Sequence, residues 1–128
     1  MPHVTAVADQ RWETWDDPVR GRLHWCLLDD GRSPSPESVT TGVMRLGEDG
    51  WLGRHRHAAP EVYYVLEGDA LVAVDDDEVR VGAGSLVRLP GDVEHGIRAV
   101  DGSVRVLFVF PTTAFDHVDY RFSANALA

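Results

Sequence analysis

Four residues with metal-ligating side chains are spaced so that they can meet. His55 and His57 are separated by one residue, and in an extended chain residues two apart point to the same face. Glu61 follows four residues later, directly after Pro60, which can turn the chain and return a carboxylate to the two imidazoles. His95 begins a later predicted strand, whose pairing can place it opposite the other three.

Three imidazoles and one carboxylate form a ligand set rich in nitrogen and oxygen. Such a set suits Fe, Mn, Ni, Co or Zn, and a six-coordinate metal keeps positions for water or substrate. Without a cation, four such groups inside a barrel would be a costly polar cluster. Cys26 is the only cysteine, so an intrachain disulfide and a Cys-rich metal site are excluded. We therefore predict one divalent transition metal bound by His55, His57, Glu61 and His95.

Tyr63 lies two residues after Glu61 in the same predicted strand. Alternation places both side chains on one face, so Tyr63 faces the cavity if Glu61 reaches the metal. A nearby divalent cation can lower the pKa of a phenol, and a tyrosinate could then act as a general base. Strand geometry leaves a second interpretation equally open, in which Tyr63 only fills the barrel interior.

The elements that must position these residues are predicted to be short strands. No segment has a sustained 3.6-residue apolar pattern, and Gly and Pro recur throughout the chain, which favours strands over helices. The predicted strands span residues 23–28, 39–46, 61–66, 70–74, 78–81, 85–89, 95–99 and 104–110. Turn signals such as Pro90-Gly91-Asp92 and Asp101-Gly102 separate them. This all-β pattern predicts a sandwich or a closed barrel.

The composition fits one folded domain. The chain has 128 residues, 44% of them hydrophobic and 26% charged, which is enough for a single core spanning residues 1–128. Within it we expect an N-terminal arm at 1–20, a barrel core at 39–110 and a frayed tail at 123–128. The arm is expected to lie across the barrel or to add an edge strand, and residues 32–37 to form a loop.

The charge and hydropathy of the chain argue against nucleic acids and membranes as binding partners. The net charge of −9 would repel nucleic-acid phosphates and anionic membrane surfaces. A secretory signal needs an unbroken apolar stretch near the N-terminus, and charged residues interrupt that region here. The longest strongly apolar run, 106–110, is far shorter than a membrane span. We expect a cytoplasmic protein with a small-molecule substrate. Trp12, Trp15 and Trp25 make the arm richer in aromatics than a solvated segment requires, which favours a homodimer formed through the arm.

The ligand spacing resembles the two sequence motifs of the cupins. The first runs over residues 55–61 as HRHAAPE and closes at Gly68, and the second runs from Gly84 through Pro90 to His95. This resemblance implies a cupin double-stranded β-helix, a jelly-roll-like barrel with the metal in its lumen.

This chain departs from the usual cupin motifs at three positions. The glycine that normally opens the first motif is displaced to Gly50, Asp92 stands where a glycine is usual, and Ala99 replaces a common Asn. None of these changes removes a metal ligand, so they concern local turn geometry.

A closer resemblance extends from about residue 39 to residue 122. The pattern HxHxxxExYxV, the stretch GDVEHGIR and the ending FVFPTTAFDHVDYRF are similar to the small single-domain cupin lyases that cleave dimethylsulfoniopropionate to acrylate and dimethyl sulfide. The resemblance implies that Tyr63 takes the proton α to the carboxylate. It also implies that Tyr120, a second tyrosine, lines the site.

A β-elimination is chemically consistent with this residue set. Withdrawal of charge from a substrate carboxylate acidifies the neighbouring C–H and stabilises the enolate-like charge that develops. A sulfonium leaving group departs as a neutral sulfide and needs no general acid, but aromatic faces would help to bind it. The candidate aromatic residues are Trp25, Trp51, Phe108, Phe110 and Tyr120.

Other functions remain compatible with the motif. A site of three His and one Glu could hold Fe(II) for a dioxygenase, or a metal for an isomerase of a small metabolite. A non-catalytic cupin that only binds a small molecule is a further alternative. Such sensory cupins usually carry a helical DNA-binding domain, for which 128 residues leave no room.

Overall fold

The computed structural model describes residues 4–30, 39–111, 115 and 118–123, and these form an almost entirely β structure. One short 3-10 helix spans Val7–Asp9. The strands of the described residues are β1 (Glu13–Asp17), β2 (Gly21–Asp30), β3 (Thr40–Leu46), β4 (Trp51–Arg56), β5 (Glu61–Val74), β6 (Asp77–Gly82), β7 (Leu86–Leu89), β8 (His95–Phe110) and β9 (Arg121–Phe122). Within the same residues, no helix is long and apolar enough to cross a membrane.

The strands close into a barrel. The hydrogen-bonded order is β6-β5-β8-β3-β2-β4-β9, with β1 added to β2 and β7 added to β5. Closure follows because β2 pairs with both β3 and β4, and β8 also pairs with both of them. The expected all-β barrel is thereby confirmed.

In two places, two strands predicted as separate form one long strand in the structure. Segments 61–66 and 70–74 both belong to β5, and segments 95–99 and 104–110 both belong to β8. The predicted turns between them are irregularities within the β5–β8 ladder, where the register shifts on both sides of Glu67. Gly68, Asp101 and Gly102 have positive φ at this point. Gly and Asp are common both in turns and in β-bulges. The prediction of turns at these positions was therefore wrong, because the residues form a bulge.

Gly68 cannot be replaced by a larger residue without a shift of the chain. Its φ is 82°, and a Cβ added there would overlap the backbone carbonyl of Ser103 on β8. On the outer surface, Arg80 reaches across the same bulge and contacts the carboxylates of Asp69 and Asp101 at 2.9 and 2.8 Å. The bulge bends both long strands at the same level, so each can contribute to two parts of the barrel.

Three of the described strands were not in the predicted set, and the short β9 (Arg121–Phe122) is one of them. Another is β4, whose polar run of Arg54, His55 and Arg56 hides it from a search for apolar alternation. The third is β1, which the N-terminal arm adds antiparallel to β2, in line with the edge strand that was one of the two alternatives expected for the arm. The predicted loop at 32–37 and most of the predicted frayed tail at 123–128 lie outside the described residues.

The arm packs on its own barrel. The ring of Trp15 lies edge-on to that of Trp25 with 5.8 Å between centroids, and it also contacts Tyr120 and Phe122. Two of the three tryptophans that favoured a homodimer are therefore used inside the chain. The homodimer remains a prediction, with this part of its basis weakened.

The interior is apolar along most of the barrel. Leu46, Val65, Val72, Val104 and Val106 are at most 1% exposed and belong to one continuous core cluster. Polar groups enter the interior mainly where β4, β5 and β8 approach one another, which is where the four candidate ligands lie. The core thus holds the strand ends that position the site.

Gly42 on β3 provides a test of how tightly this interior is packed. A Cβ at Gly42 would overlap the ring of Phe108 and the carbonyl of Cys26, so Gly42→Ala overpacks the barrel. We expect a loss of about 1–3 kcal/mol in the free energy of unfolding, measured by urea denaturation. Gly47→Ala is the matched control, because no heavy atom lies within 4 Å of its added Cβ. Equal stability of the two variants would contradict this packing.

Candidate metal centre

The barrel brings the four predicted ligands together. His55 lies on β4, His57 directly follows that strand, and Glu61 and His95 are the first residues of β5 and β8. His55 and His95 are partners in the antiparallel β4–β8 pairing. All four side chains are buried, and one ligand atom from each lies within 4.8 Å of all the others.

Backbone carbonyls fix the orientation of the three imidazoles. Each ring has its Nδ1 atom near the carbonyl of a residue two positions away. The distances are 2.7 Å from His55 to Gly53, 2.7 Å from His57 to Ala59 and 3.0 Å from His95 to Val93. A carbonyl only accepts, so each Nδ1 carries a proton and each neutral ring keeps a lone pair on Nε2.

These lone pairs converge on a carboxylate. Nε2 of His57 and Nε2 of His95 lie 3.2 and 3.3 Å from Oε1 of Glu61. Nε2 of His55 is buried and has no hydrogen-bond partner among the described residues. Lone pairs that face a carboxylate oxygen repel it unless a proton or a cation lies between them. The donor set therefore fits a divalent transition metal, with three nitrogens and one oxygen.

The electrostatics of the cluster favour a cation as well. Burial and the neighbouring His95 lower the pKa of His55 to about 3, so its ring is neutral at pH 7. Burial alone would lower the pKa of His57, but the hydrogen bond and negative charge of Glu61 outweigh it and raise that pKa. A metal ion must therefore compete with a proton on His57.

The loops that carry the ligands are tied to each other. The Asp92 N–H donates to the carbonyl of His57 at 2.8 Å, and Arg121 contacts the Asp92 carboxylate at 2.6 Å. Asp119 accepts a hydrogen bond from the N–H of Ala58 at 3.2 Å. Asp92 has a φ of 63°, a conformation that Asp adopts more readily than most residues. This explains how Asp92 replaces the usual glycine of the second motif.

Glu94 anchors the entry to β8 in a similar way. Its carboxylate accepts a hydrogen bond from Ser123 at 2.7 Å and contacts Arg54 at 3.4 Å and Arg56 at 3.9 Å. The Ser123 hydrogen bond, together with both arginines, outweighs desolvation and lowers the pKa of Glu94. The residue before His95 is thus held to β4 and to the chain after β9.

The two tyrosines expected at the site lie next to the ligands. Tyr63 is buried beside Glu61 on β5, its ring centroid is 6.1 Å from that of His95, and within the described part of the chain its hydroxyl has no partner. Tyr120 packs on the rings of His55 and His57 at 5.2 and 5.4 Å. Burial and the charge of Glu61 raise the pKa of both phenols well above 10.

A small cavity adjoins Glu61, one of the four ligands. Its volume is about 20 Å³, which is room for roughly one water molecule. Glu61, Tyr63 and Tyr120 contribute to its wall. The other aromatic residues of the wall are Trp15, Trp25, Phe108 and Phe115.

The sequence identified only part of this aromatic wall. Trp25, Phe108 and Tyr120 line the cavity as expected, and Phe110 packs on His57 at 5.1 Å. Trp51 was a wrong candidate, because it lines a separate surface groove with Arg54 and other residues. Trp15 and Phe115 were missed. Trp15 reaches the cavity because its pairing with Leu23 of β2 places both on one face of the sheet, a register that the sequence did not predict.

Comparison with known proteins agrees with this geometry. Residues 42–110 match the family model described as the cupin domain. The chain belongs to the cupin family. This cupin is similar to dimethylsulfoniopropionate lyase DddW of Ruegeria pomeroyi, with 32% identity over 125 residues that cover 98% of this chain and 82% of that protein.

Solved structures show the same fold. The polyketide cyclase RemF from Streptomyces resistomycificus superposes with a TM-score of 0.78 at 21% identity, covering 95% of this cupin and 85% of RemF. A chain from the crystal structures of the DMSP lyases RdDddP and RnDddQII gives a TM-score of 0.66 at 22% identity, covering 80% of this cupin and 53% of that chain. At these identities the likeness concerns the fold alone.

Loss of a ligand should abolish stable metal binding. We expect His95→Ala to reduce the affinity for Zn²⁺ by at least about 100-fold, since even changes to groups supporting a ligand typically cost 10- to 100-fold. Affinity should also fall as the pH drops through the raised pKa of His57, because metal and proton compete there. Competitive chelator titration measures both effects.

The exposed His24 supplies the matched control. It hydrogen-bonds Thr14 on the outer surface at 2.9 Å, so His24→Ala should keep wild-type affinity. An equimolar metal content in purified His55→Ala/His57→Ala would contradict the site.

Proposed function

We propose that this cupin is a metal-dependent carbon–sulfur lyase that eliminates dimethyl sulfide from dimethylsulfoniopropionate and leaves acrylate. The observation that carries the proposal is the buried phenol of Tyr63, which lines one cavity with the ligand Glu61 and whose hydroxyl has no partner among the described residues. The likeness to DddW over nearly the whole chain supports the choice of substrate.

Tyr63 is the proposed general base. It lies on the same strand and the same face as Glu61, it lines the cavity, and its buried hydroxyl has no partner among the described residues. Burial, with the charges of Glu61 and Tyr120, raises the pKa of Tyr63, which opposes the base role. A divalent cation held by the four ligands would supply positive charge that lowers this pKa and draws charge from a substrate carboxylate.

The elimination balances without a further reactant. Tyr63 takes the proton from the carbon next to the carboxylate, and the electrons of that C–H bond form the new carbon–carbon double bond. The bond between the β carbon and sulfur breaks, and its electrons leave with the sulfur. A cationic sulfonium thus departs as neutral dimethyl sulfide and needs no general acid.

The aromatic wall suits the cationic end of this substrate. Ring faces attract a positively charged group, and Trp15, Phe108 and Phe115 surround the cavity. Tyr120 is proposed to line the site and to keep the His55 and His57 rings in place, since it packs on both. The cavity of about 20 Å³ is smaller than the substrate, so binding must move some of these side chains.

Substitution of Tyr63 tests the base. Tyr63→Phe keeps the ring and deletes the hydroxyl, and loss of a general base typically lowers the rate by about 10²–10⁴-fold. Headspace detection of dimethyl sulfide gives the rate, and metal content and unfolding confirm an intact site. Activity of the wild type should rise with pH, because the base must be deprotonated.

Tyr64 is the matched control for this substitution. It follows Tyr63 but points to the outer face and is 39% exposed, so Tyr64→Phe should retain wild-type activity. Near wild-type elimination by Tyr63→Phe would reduce Tyr63 to a packing residue.

The dependence of the reaction on O₂ distinguishes a lyase from a dioxygenase. We expect elimination to persist under strict anaerobiosis with Zn²⁺ or Ni²⁺, neither of which needs O₂ for this reaction. A wild type that consumes O₂ and releases no sulfide would overturn the substrate assignment while leaving the metal-binding cupin intact.

A further inference from the structure

A residue of the cavity wall carries a buried hydrogen-bond donor that has no role in the proton transfer described above. The indole Nε1 of Trp25 is buried and finds no hydrogen-bond partner in the described part of the chain. Trp25 lines the same cavity as Glu61, Tyr63 and Tyr120. Buried polar groups in folded proteins are almost always paired, so an unpaired donor at a cavity wall indicates a group that a ligand satisfies.

The position of this donor is fixed by its neighbours. Trp25 lies on β2 opposite Met44 of β3. Its ring lies 5.8 Å from that of Trp15 and 5.1 Å from that of Phe115. These contacts hold the indole on two sides, so its N–H direction is set before any ligand arrives.

The chemistry of an indole decides which end of the substrate it takes. An indole N–H only donates and never accepts a hydrogen bond. Dimethylsulfoniopropionate carries one acceptor group, its carboxylate, since its sulfonium has no lone pair suited to a donor. We infer that the Trp25 N–H donates a hydrogen bond to the substrate carboxylate and thereby orients the substrate.

This inference rests on the proposed function and deepens it. A carboxylate held at Trp25 fixes the adjacent C–H relative to Tyr63, since Trp25 and Tyr63 line one small cavity. The sulfonium then points to the remaining aromatic faces, which bind a cation without needing an acceptor. Trp25 is thus a substrate-binding residue that selects carboxylates.

Two probes test the contact, one with a carboxylate and one without it. Zn²⁺-loaded protein is titrated calorimetrically with acrylate, and separately with dimethyl(propyl)sulfonium, which keeps the sulfonium and lacks the carboxylate. Trp25→Phe should weaken acrylate about 10- to 100-fold, the usual loss for a hydrogen bond to a charged group. The affinity for the sulfonium probe should change much less, because only ring packing is altered.

Trp51→Phe is the matched control, since Trp51 lines a separate groove and should bind both probes as the wild type does. An equal loss of both probes in Trp25→Phe, or no loss of acrylate, would overturn the inference. A wild type that binds no carboxylate would overturn it too.

The indole N–H signals of the unmodified protein give a readout that does not depend on the folding of a variant. In the Zn²⁺-loaded wild type, acrylate should move one of the four tryptophan Nε1–H resonances downfield, and that resonance should be absent from Trp25→Phe. Shifts confined to other tryptophans would refute the contact. If acrylate binds through Trp25 but no dimethyl sulfide is released, the inference stands for another carboxylate and the proposed function fails.

Discussion

The antiparallel pairing of β4 with the first part of β8 is the constraint on which the site depends. It places His55 directly opposite His95, two residues that are forty positions apart in the chain. The same stretch of β8 also pairs with the second half of β5, and the second half of β8 pairs with the first half of β5. One long strand therefore sets the position of ligands that the sequence distributes over two motifs.

This arrangement concentrates polar groups that an apolar barrel core tolerates poorly. A carboxylate and three imidazoles are nearly fully buried within 4.8 Å of each other. With all three Nδ1 protons committed to carbonyls, the Nε2 atoms of His57 and His95 face Glu61 with lone pairs. A proton on His57 relieves part of this repulsion, as its raised pKa indicates, and a divalent cation between the ligands would relieve the rest.

Alternation of side chains along a strand predicted which residues face inward wherever the pairing register is regular. It placed Tyr63 on the inner face with Glu61, where the structure has it. It fails on β4, where the register shifts between Leu52 and His55, so that both of these residues face inward although they are three apart. Trp51, which regular alternation would place on the face of His55, consequently lies on the outside. Local sequence does not reveal such a shift, because long-range pairing with β8 creates it.

Three buried polar atoms without partners lie among the described residues, and they belong to His55, Tyr63 and Trp25. Tyr63 and Trp25 line the cavity, and His55 packs on Tyr120 at its wall. The three atoms differ in the partner they can bind. The Nε2 lone pair of His55 can bind a cation, the indole N–H of Trp25 needs an acceptor, and the phenol of Tyr63 can pair with either. A packing defect would scatter such atoms through the core, whereas here two of them belong to residues that line one cavity and the third to a ring that packs on a residue of its wall. This grouping supports a site that holds a metal ion and an anionic group of a substrate together.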